Sequence, residues 1–170
     1  MDIKDQVHFL LERARAEARG YGMEIDEANS DENRPWGGFL RLKEESYPHF
    51  RVAYWDDVED VPPADRSVML APKILLVAPH ARLSLQYHHR RQEYWRCIEG
   101  PLLIVSGAGP DNLTEKRLMP GDTVRLAQGE WHRLIGLEGF GRIAEIWQHT
   151  DKNHPSDEQD IIRVEDDFGR

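Results

Sequence analysis

With 170 residues, 39% of them hydrophobic and 31% charged, the chain has room for one domain with a real core and too little for two. This composition excludes a disordered or fibrous chain, and a formal charge of −9 excludes a general nucleic-acid or anionic-membrane surface. One phosphorylated small molecule stays admissible, because it needs only a few converging cations.

Residues 2–19 read as an amphipathic helix. Asp2 is the expected N-cap, Ile3, Val7, Leu10, Leu11 and Ala14 recur at helical spacing, and Gly20 is the expected C-cap. His8 within it reads as a surface residue. From Asn29 onward the pattern changes to short strands: Gly37–Leu42, Phe50–Trp55, Lys73–Ala78, Leu83–His88, Tyr94–Ile98, Leu102–Ser106, Asp122–Leu126, His132–Leu137 and Arg142–Gln148. Gly100-Pro101, Gly107 to Asn112, Pro120-Gly121 and Gly139 punctuate them. Asp56–Asp65 reads as an exposed acidic loop, Asp151–Asp160 as a polar loop, and Ile161–Arg170 as a short charged segment. No internal repeat is present, and so many short strands suggest a sandwich or barrel. No apolar run approaches roughly 18 residues, the first residues lack the basic-then-apolar order of a signal peptide, and the lone Cys97 fits a reducing compartment. A cytoplasmic location is expected.

The informative stretch runs from Pro79 to Trp95. Alternation puts Arg82, Ser84, Gln86 and His88 on one strand face, with Leu83, Leu85 and Tyr87 on the other. A hairpin through His89–Gln92 returns Glu93 beside His88, giving a Gln-x-His-x4-Glu cluster. The candidate fourth ligand is His132, which follows Gly129-Glu-Trp. Imidazole, carboxylate and amide oxygen together suit a divalent ion; zinc is favoured, while iron, manganese, cobalt and nickel are compatible. With Glu93 as the only anion, the site keeps a net positive charge and can polarise substrate oxygens.

Gln86 to Glu93, Gly100, Pro120-Gly-Asp and Gly129-Glu-Trp-His132 together resemble the paired motifs of cupins. More narrowly, they resemble the C-terminal cupin domain of type II mannose-6-phosphate isomerases (phosphomannose isomerases), a domain often fused behind a mannose-1-phosphate guanylyltransferase. Arg34-Pro-Trp-Gly37, Lys73 to Gly100 and Ile161 to Arg170 extend the likeness, whereas the N-terminal helix and residues 43–72 lie outside it. The resemblance implies an all-β double-stranded β-helix, or jelly-roll barrel, carrying an N-terminal helix. The expected divisions are a helical extension over 1–28, a barrel over 29–150 and a segment over 151–170 that closes on the barrel. It also implies a homodimer and metal-dependent interconversion of mannose 6-phosphate and fructose 6-phosphate. The Gly-rich signature of a nucleotidyltransferase is absent. Departures from the family pattern are Arg90 and Tyr94 where histidines are usual, His80 where glycine is, Ala127 where proline is, and Gly136 where asparagine is expected. None removes an assigned ligand; Arg90 and Tyr94 are expected at the pocket rim.

Moving a proton between C1 and C2 of a sugar requires a polarised carbonyl and a proton shuttle. A water on the ion, Lys73 and Glu145 are the candidates for the shuttle. The phosphate calls for Arg34, Lys73, Arg82, Arg163 and Arg170, since guanidinium forks bind phosphate at two points. By resemblance Arg163 and Arg170 matter most, and they join Lys73 and Glu145 as the expected catalytic set. Trp95, Trp131 and Trp147 read as barrel packing, Cys97 as a buried small hydrophobe, and His149 and His154 as solvated tail residues. Two other readings stay open: a non-catalytic sugar- or metal-binding cupin, and a cupin dioxygenase, against which Gln86 in place of a histidine counts.

Overall fold

The structure, a computed structural model, describes residues 1–63 and 69–169. Helix α1 (Ile3–Gly20) opens the chain, with the Asp2 carboxylate accepting from the Asp5 N–H as the expected cap. The helix includes Gly20, so its C-cap falls one residue later than expected, on Tyr21. The Tyr21 N–H closes the last turn, and the left-handed position (φ +77°) falls on Gly22. Strands β1 (Asp31–Arg34) and β2 (Gly37–Arg41) lead to helix α2 (Tyr47–Tyr54). Then come β3 (Leu70–Val77), β4 (Leu85–His88), β5 (Arg91–Glu99), β6 (Leu102–Gly107), β7 (Thr114–Leu118), β8 (Thr123–Leu126), β9 (Trp131–Gly136), β10 (Gly141–His149) and β11 (Ile161–Glu165).

The strands form two antiparallel sheets, ordered β1-β2-β3-β10-β5-β8 and β11-β4-β9-β6-β7. They face each other as the jelly roll expected from the sequence. The six-stranded sheet is buried on both sides. Outward, Leu40, Ile74, Leu76, Ala144 and Ile146 pack under Val7, Leu11, Ala14 and Ala18 of α1 and under Phe50 and Tyr54 of α2. Inward, Leu75, Val77, Cys97 and Ile143 meet Ile104 and Leu134 of the opposing sheet. Burying such side chains stabilises by roughly 1.5–3 kcal/mol each. Among the described residues no helix is long and apolar enough to cross a membrane.

One predicted strand is a helix. Phe50–Trp55 is rich in aromatic and β-branched residues, which favour strands. Its buried positions Tyr47, Phe50 and Tyr54 are nonetheless three and four apart, while Val52 is 64% exposed. Pro48 fits the first helical turn, where no N–H is required. Three strands escaped the sequence pattern. β1 and β7 are largely polar and lack alternation, and β11 lies in the tail read as a charged segment. The acidic loop after α2 is irregular over 56–63, and its remainder, including Asp65, lies outside the described residues.

At two departures from the family pattern the backbone is constrained. His80 sits at φ +58°, the left-handed region where glycine is at ease. A Cβ on Gly136 would lie 2.1 Å from the Ala78 carbonyl oxygen, so asparagine has no room there on this backbone.

Candidate metal centre

Strand register builds the centre. Gln86 on β4 pairs directly with His132 on β9, which sets their side chains together on the inner face. His88, two residues beyond Gln86, shares that face. After a tight turn, β5 presents Arg91, Glu93 and Trp95 inward, and all three are buried. His88 Nε2 lies 3.3 Å from His132 Nε2, and the Glu93 carboxylate reaches the two imidazoles at 3.2 and 3.4 Å. The structure therefore brings together His88, Glu93 and His132 from two distant pieces of chain. Gln86 stands beside them, its amide oxygen accepting from the Ser84 hydroxyl at 2.7 Å.

The donor chemistry fits a divalent ion. His132 Nδ1 lies 2.9 Å from the Glu130 carbonyl oxygen, which only accepts, so the ring donates there and turns the Nε2 lone pair toward the cluster. Burial lowers the His132 pKa to about 4, despite the pull of Glu93, and keeps the ring neutral. Burial alone raises the Glu93 carboxyl, but Arg91 and the two imidazoles outweigh it and hold Glu93 well below the usual carboxylate range. The neutral His132 imidazole, the His88 imidazole and one carboxylate thus converge. Their mutual spacing of 3.2–3.4 Å is that of ligands sharing one ion at about 2.1 Å.

A cavity of about 60 Å³, open to solvent at its mouth, adjoins the cluster. Trp36, Phe39, Trp95 and Trp147 wall it, together with Gln86 and the charged groups Arg34, Lys73, Arg91, Glu145, Glu158 and Arg163. Lys73 and Glu145 face each other in register on β3 and β10, and both are buried. Burial, reinforced by Arg91, lowers the Lys73 pKa to about 7; its Nζ lies 3.2 Å from the centroid of Trp147. Burial, reinforced by Glu93, raises Glu145 to about 7. The Trp95 indole N–H donates to both Glu145 (2.9 Å) and Glu93 (3.1 Å), linking the acid to the ligand cluster.

The expected phosphate contacts divide. Arg163 lies on β11, whose register sets it opposite Gln86, and it lines the cavity with Glu158 3.7 Å away. Arg34 lines the same cavity, held 2.9 Å from Asp31. Arg82 is not among the lining residues; Asp167 grips its guanidinium at 2.6 and 2.7 Å on the protein surface. The alternation that grouped Arg82 with Gln86 breaks because regular pairing of β4 begins only at Leu85, and Leu83 turns into the cavity beside Ser84. Arg170 lies outside the described residues.

Several neighbours depart from the sequence expectation. Arg90 and Tyr94 are not at the rim: Arg90 holds the C-terminal segment through Asp157 and Asp160, and Tyr94 packs on the helical side of the sheet. Trp95 and Trp147 do more than pack, while Trp131 stacks on Tyr87 with centroids 5.7 Å apart. His149 is buried and accepts from the Ser156 N–H, whereas His154 is exposed against Arg90. Sequence reading missed Arg91 by assigning it to the turn. Counting alternation backward from Trp95 through Glu93 would have found it.

Comparison with known proteins follows the same lines. A family model described as "Mannose-6-phosphate isomerase C-terminal" matches residues 43–166. The match takes in 43–72, which the motifs had left out, and does not reach Arg34 to Gly37. The xanthan biosynthesis protein XanB of Xanthomonas campestris pv. campestris is 32% identical over 98 residues, 58% of this chain and 19% of XanB. The chain thus spans about a fifth of that relative's length. Among solved structures, oxalate decarboxylase from Bacillus subtilis aligns over 84% of this chain and 32% of its own, with a TM-score of 0.59 and 14% identity. A recombinant oxalate oxidase in complex with glycolate aligns over 79% of this chain and 58% of its own, with a TM-score of 0.53 and 15% identity. At such identities the structural likeness speaks for the fold alone.

Proposed function

We propose that this chain, which belongs to the mannose-6-phosphate isomerase C-terminal family and has the cupin jelly-roll fold, is a metal-dependent aldose–ketose isomerase. Its substrates are mannose 6-phosphate and fructose 6-phosphate. Gln86, His88, Glu93 and His132 hold the ion, for which zinc suits the donor set best. The observation that carries this reading is the convergence of His88, Glu93 and His132 beside a cavity that also holds a buried Lys–Glu pair and three arginines.

When bound, the ion supplies Lewis acidity to the substrate oxygens on C1 and C2. The remaining work falls to the side chains. Glu145, whose pKa of about 7 suits it to both halves of a proton transfer, removes the proton from C2 of the aldose and returns it to C1. The Trp95 N–H fixes the carboxylate's orientation for both steps. Lys73, also near neutrality, carries the hydroxyl proton from O2 to O1, so atoms and charge balance over the cycle. Arg34 and Arg163 receive the phosphate, which displaces their resting partners Asp31 and Glu158. The four aromatic walls keep water from the enediol.

The test is direct. Protein stripped with chelator should lose interconversion of the two hexose phosphates, and added zinc should restore it. Metal-loaded protein that binds the phosphosugar without turnover would favour a non-catalytic sugar-binding cupin. Oxygen uptake after anaerobic iron loading would favour a dioxygenase.

A further inference from the structure

We infer that Arg91 is the resident cation of the metal-free centre, and that a divalent ion has to take the His88 lone pair from it. This rests on reading the centre as a metal site and adds a competitor to it. Arg91 is only 1% exposed, and a guanidinium so deeply buried must spend its hydrogens on partners. Its Nε donates to Glu93 at 2.7 Å, one terminal nitrogen donates to the Ser156 hydroxyl at 3.0 Å, and the other lies 3.0 Å from His88 Nε2. A guanidinium cannot accept, so in the Nδ1–H tautomer that ligation through Nε2 requires, that last contact is a hydrogen bond into the Nε2 lone pair. One lone pair cannot accept a hydrogen and ligate an ion at once. The Arg91–His88 bond and metal ligation through His88 Nε2 are mutually exclusive.

The two imidazoles differ in a way that fits this arrangement. His132 is anchored through Nδ1 to the Glu130 carbonyl and presents Nε2 regardless of what Arg91 does. Among the described residues His88 Nδ1 is buried with no hydrogen-bond partner, so the polar contacts of this ring gather at Nε2, where Arg91 at 3.0 Å is nearer than Glu93 at 3.2 Å or His132 at 3.3 Å. Arg91 lines the cavity, whereas His88, Glu93 and His132 are not among its lining residues, so the guanidinium touches both the cavity and the ligands. Without an ion, Glu93 is a buried anion, and Arg91 supplies the balancing charge. A doubly charged ion beside Glu93 both removes that need and repels Arg91, which withdraws along the face of Trp147, whose ring centroid is 3.4 Å away.

The experiment compares wild-type protein with Arg91→Met, using zinc and a chromophoric competing chelator. Arg91→Met is expected to bind zinc at least ~10-fold more tightly, a difference of about 1.4 kcal/mol. It should unfold at a lower temperature than wild type when metal-free, with the gap closing at saturating zinc. Equal or weaker zinc binding by the variant would mean that Arg91 only supports the ligands, and would overturn the inference. Glu93→Gln is the control for the centre itself. If zinc binding survives Glu93→Gln in both backgrounds, the reading of the centre fails and this inference with it. Should Arg91→Met not fold, the wild type decides: the Arg91 Nε–H resonance of ¹⁵N-labelled protein must move on adding one equivalent of zinc, and an unmoved resonance contradicts displacement.

Discussion

The six-stranded sheet has two buried sides that obey different rules. Toward the helices it is mainly apolar: Leu40, Leu76, Ala144 and Ile146 meet Leu11, Phe50 and Trp55, and its buried cation Arg142 is paired with Glu17 of α1 and with Glu99. The tyrosine hydroxyls there find acceptors, Tyr47 on the Pro62 carbonyl and Tyr54 on Glu17. Toward the opposing sheet the same strands β3, β5 and β10 are apolar at one end, with Val77, Cys97 and Ile143, and charged at the other, with Lys73, Arg91, Glu93 and Glu145. Burying charges costs free energy unless they are paired, and the displaced pKa values of Lys73 and Glu145 register that cost. One side of the sheet stabilises the fold; one end of the other side spends part of that stability on holding buried charges together.

Substitutions on the two sides should therefore separate stability from turnover. Glu145→Gln should lower kcat by ~10²–10⁴-fold while leaving the unfolding temperature close to wild type. A matching loss of stability would break the division. On the helical side, Phe50→Ala should cost ~3–5 kcal/mol of stability, read by denaturant unfolding, with kcat unchanged in the protein that remains folded.

The pH dependence sharpens the contrast further. In the proposed mechanism Glu145 acts as a carboxylate, so turnover should rise as pH passes through about 7. Its folded pKa lies above the ordinary 4.5, so the folded state keeps an extra proton between those values. Relative to Glu145→Gln, wild-type stability is then greatest below pH 4.5 and falls as pH rises through about 7. Lys73 has the opposite slope. Its folded pKa is below the ordinary 10.5, so relative to Lys73→Met the wild type gains stability as pH rises from about 7 to 10.5. Unfolding curves across this range check both signs.

The smallest effects belong to the periphery. His80→Gly should relieve left-handed strain and raise stability by about 1 kcal/mol. Arg82→Ala should change KM for the phosphosugar little, because the exposed Arg82–Asp167 pair stands outside the cavity. A large KM effect would return Arg82 to the phosphate site.

Much of this division was legible in the sequence, for stated physical reasons. Alternation exposed Gln86 and His88, and the Gly129-Glu-Trp run flagged His132, because strands write their inner face every second residue. What alternation could not show was where it stops. It ran through Arg82, which lies before the regular part of β4, and it was not carried back into the turn to reach Arg91. α2 was misread because Phe50, Val52 and Tyr54 satisfy strand propensity, while the helical spacing of its buried residues becomes meaningful only against the sheet it covers. β7 is almost wholly exposed and β1 largely polar, so neither leaves a hydrophobic trace. The fates of Arg90 and Tyr94 depend on the C-terminal segment and the helical layer, which are tertiary facts.

The account depends most on an ion shared by residues that are 44 positions apart, His88 and His132. Metal analysis of the purified protein, with anomalous diffraction at the metal edge, tests it directly. The account predicts one ion per chain between His88 Nε2, His132 Nε2 and the Glu93 carboxylate, with the Gln86 amide oxygen as the further ligand. Metal-saturated crystals with no anomalous peak among those atoms, or with the ion bound elsewhere, would contradict it.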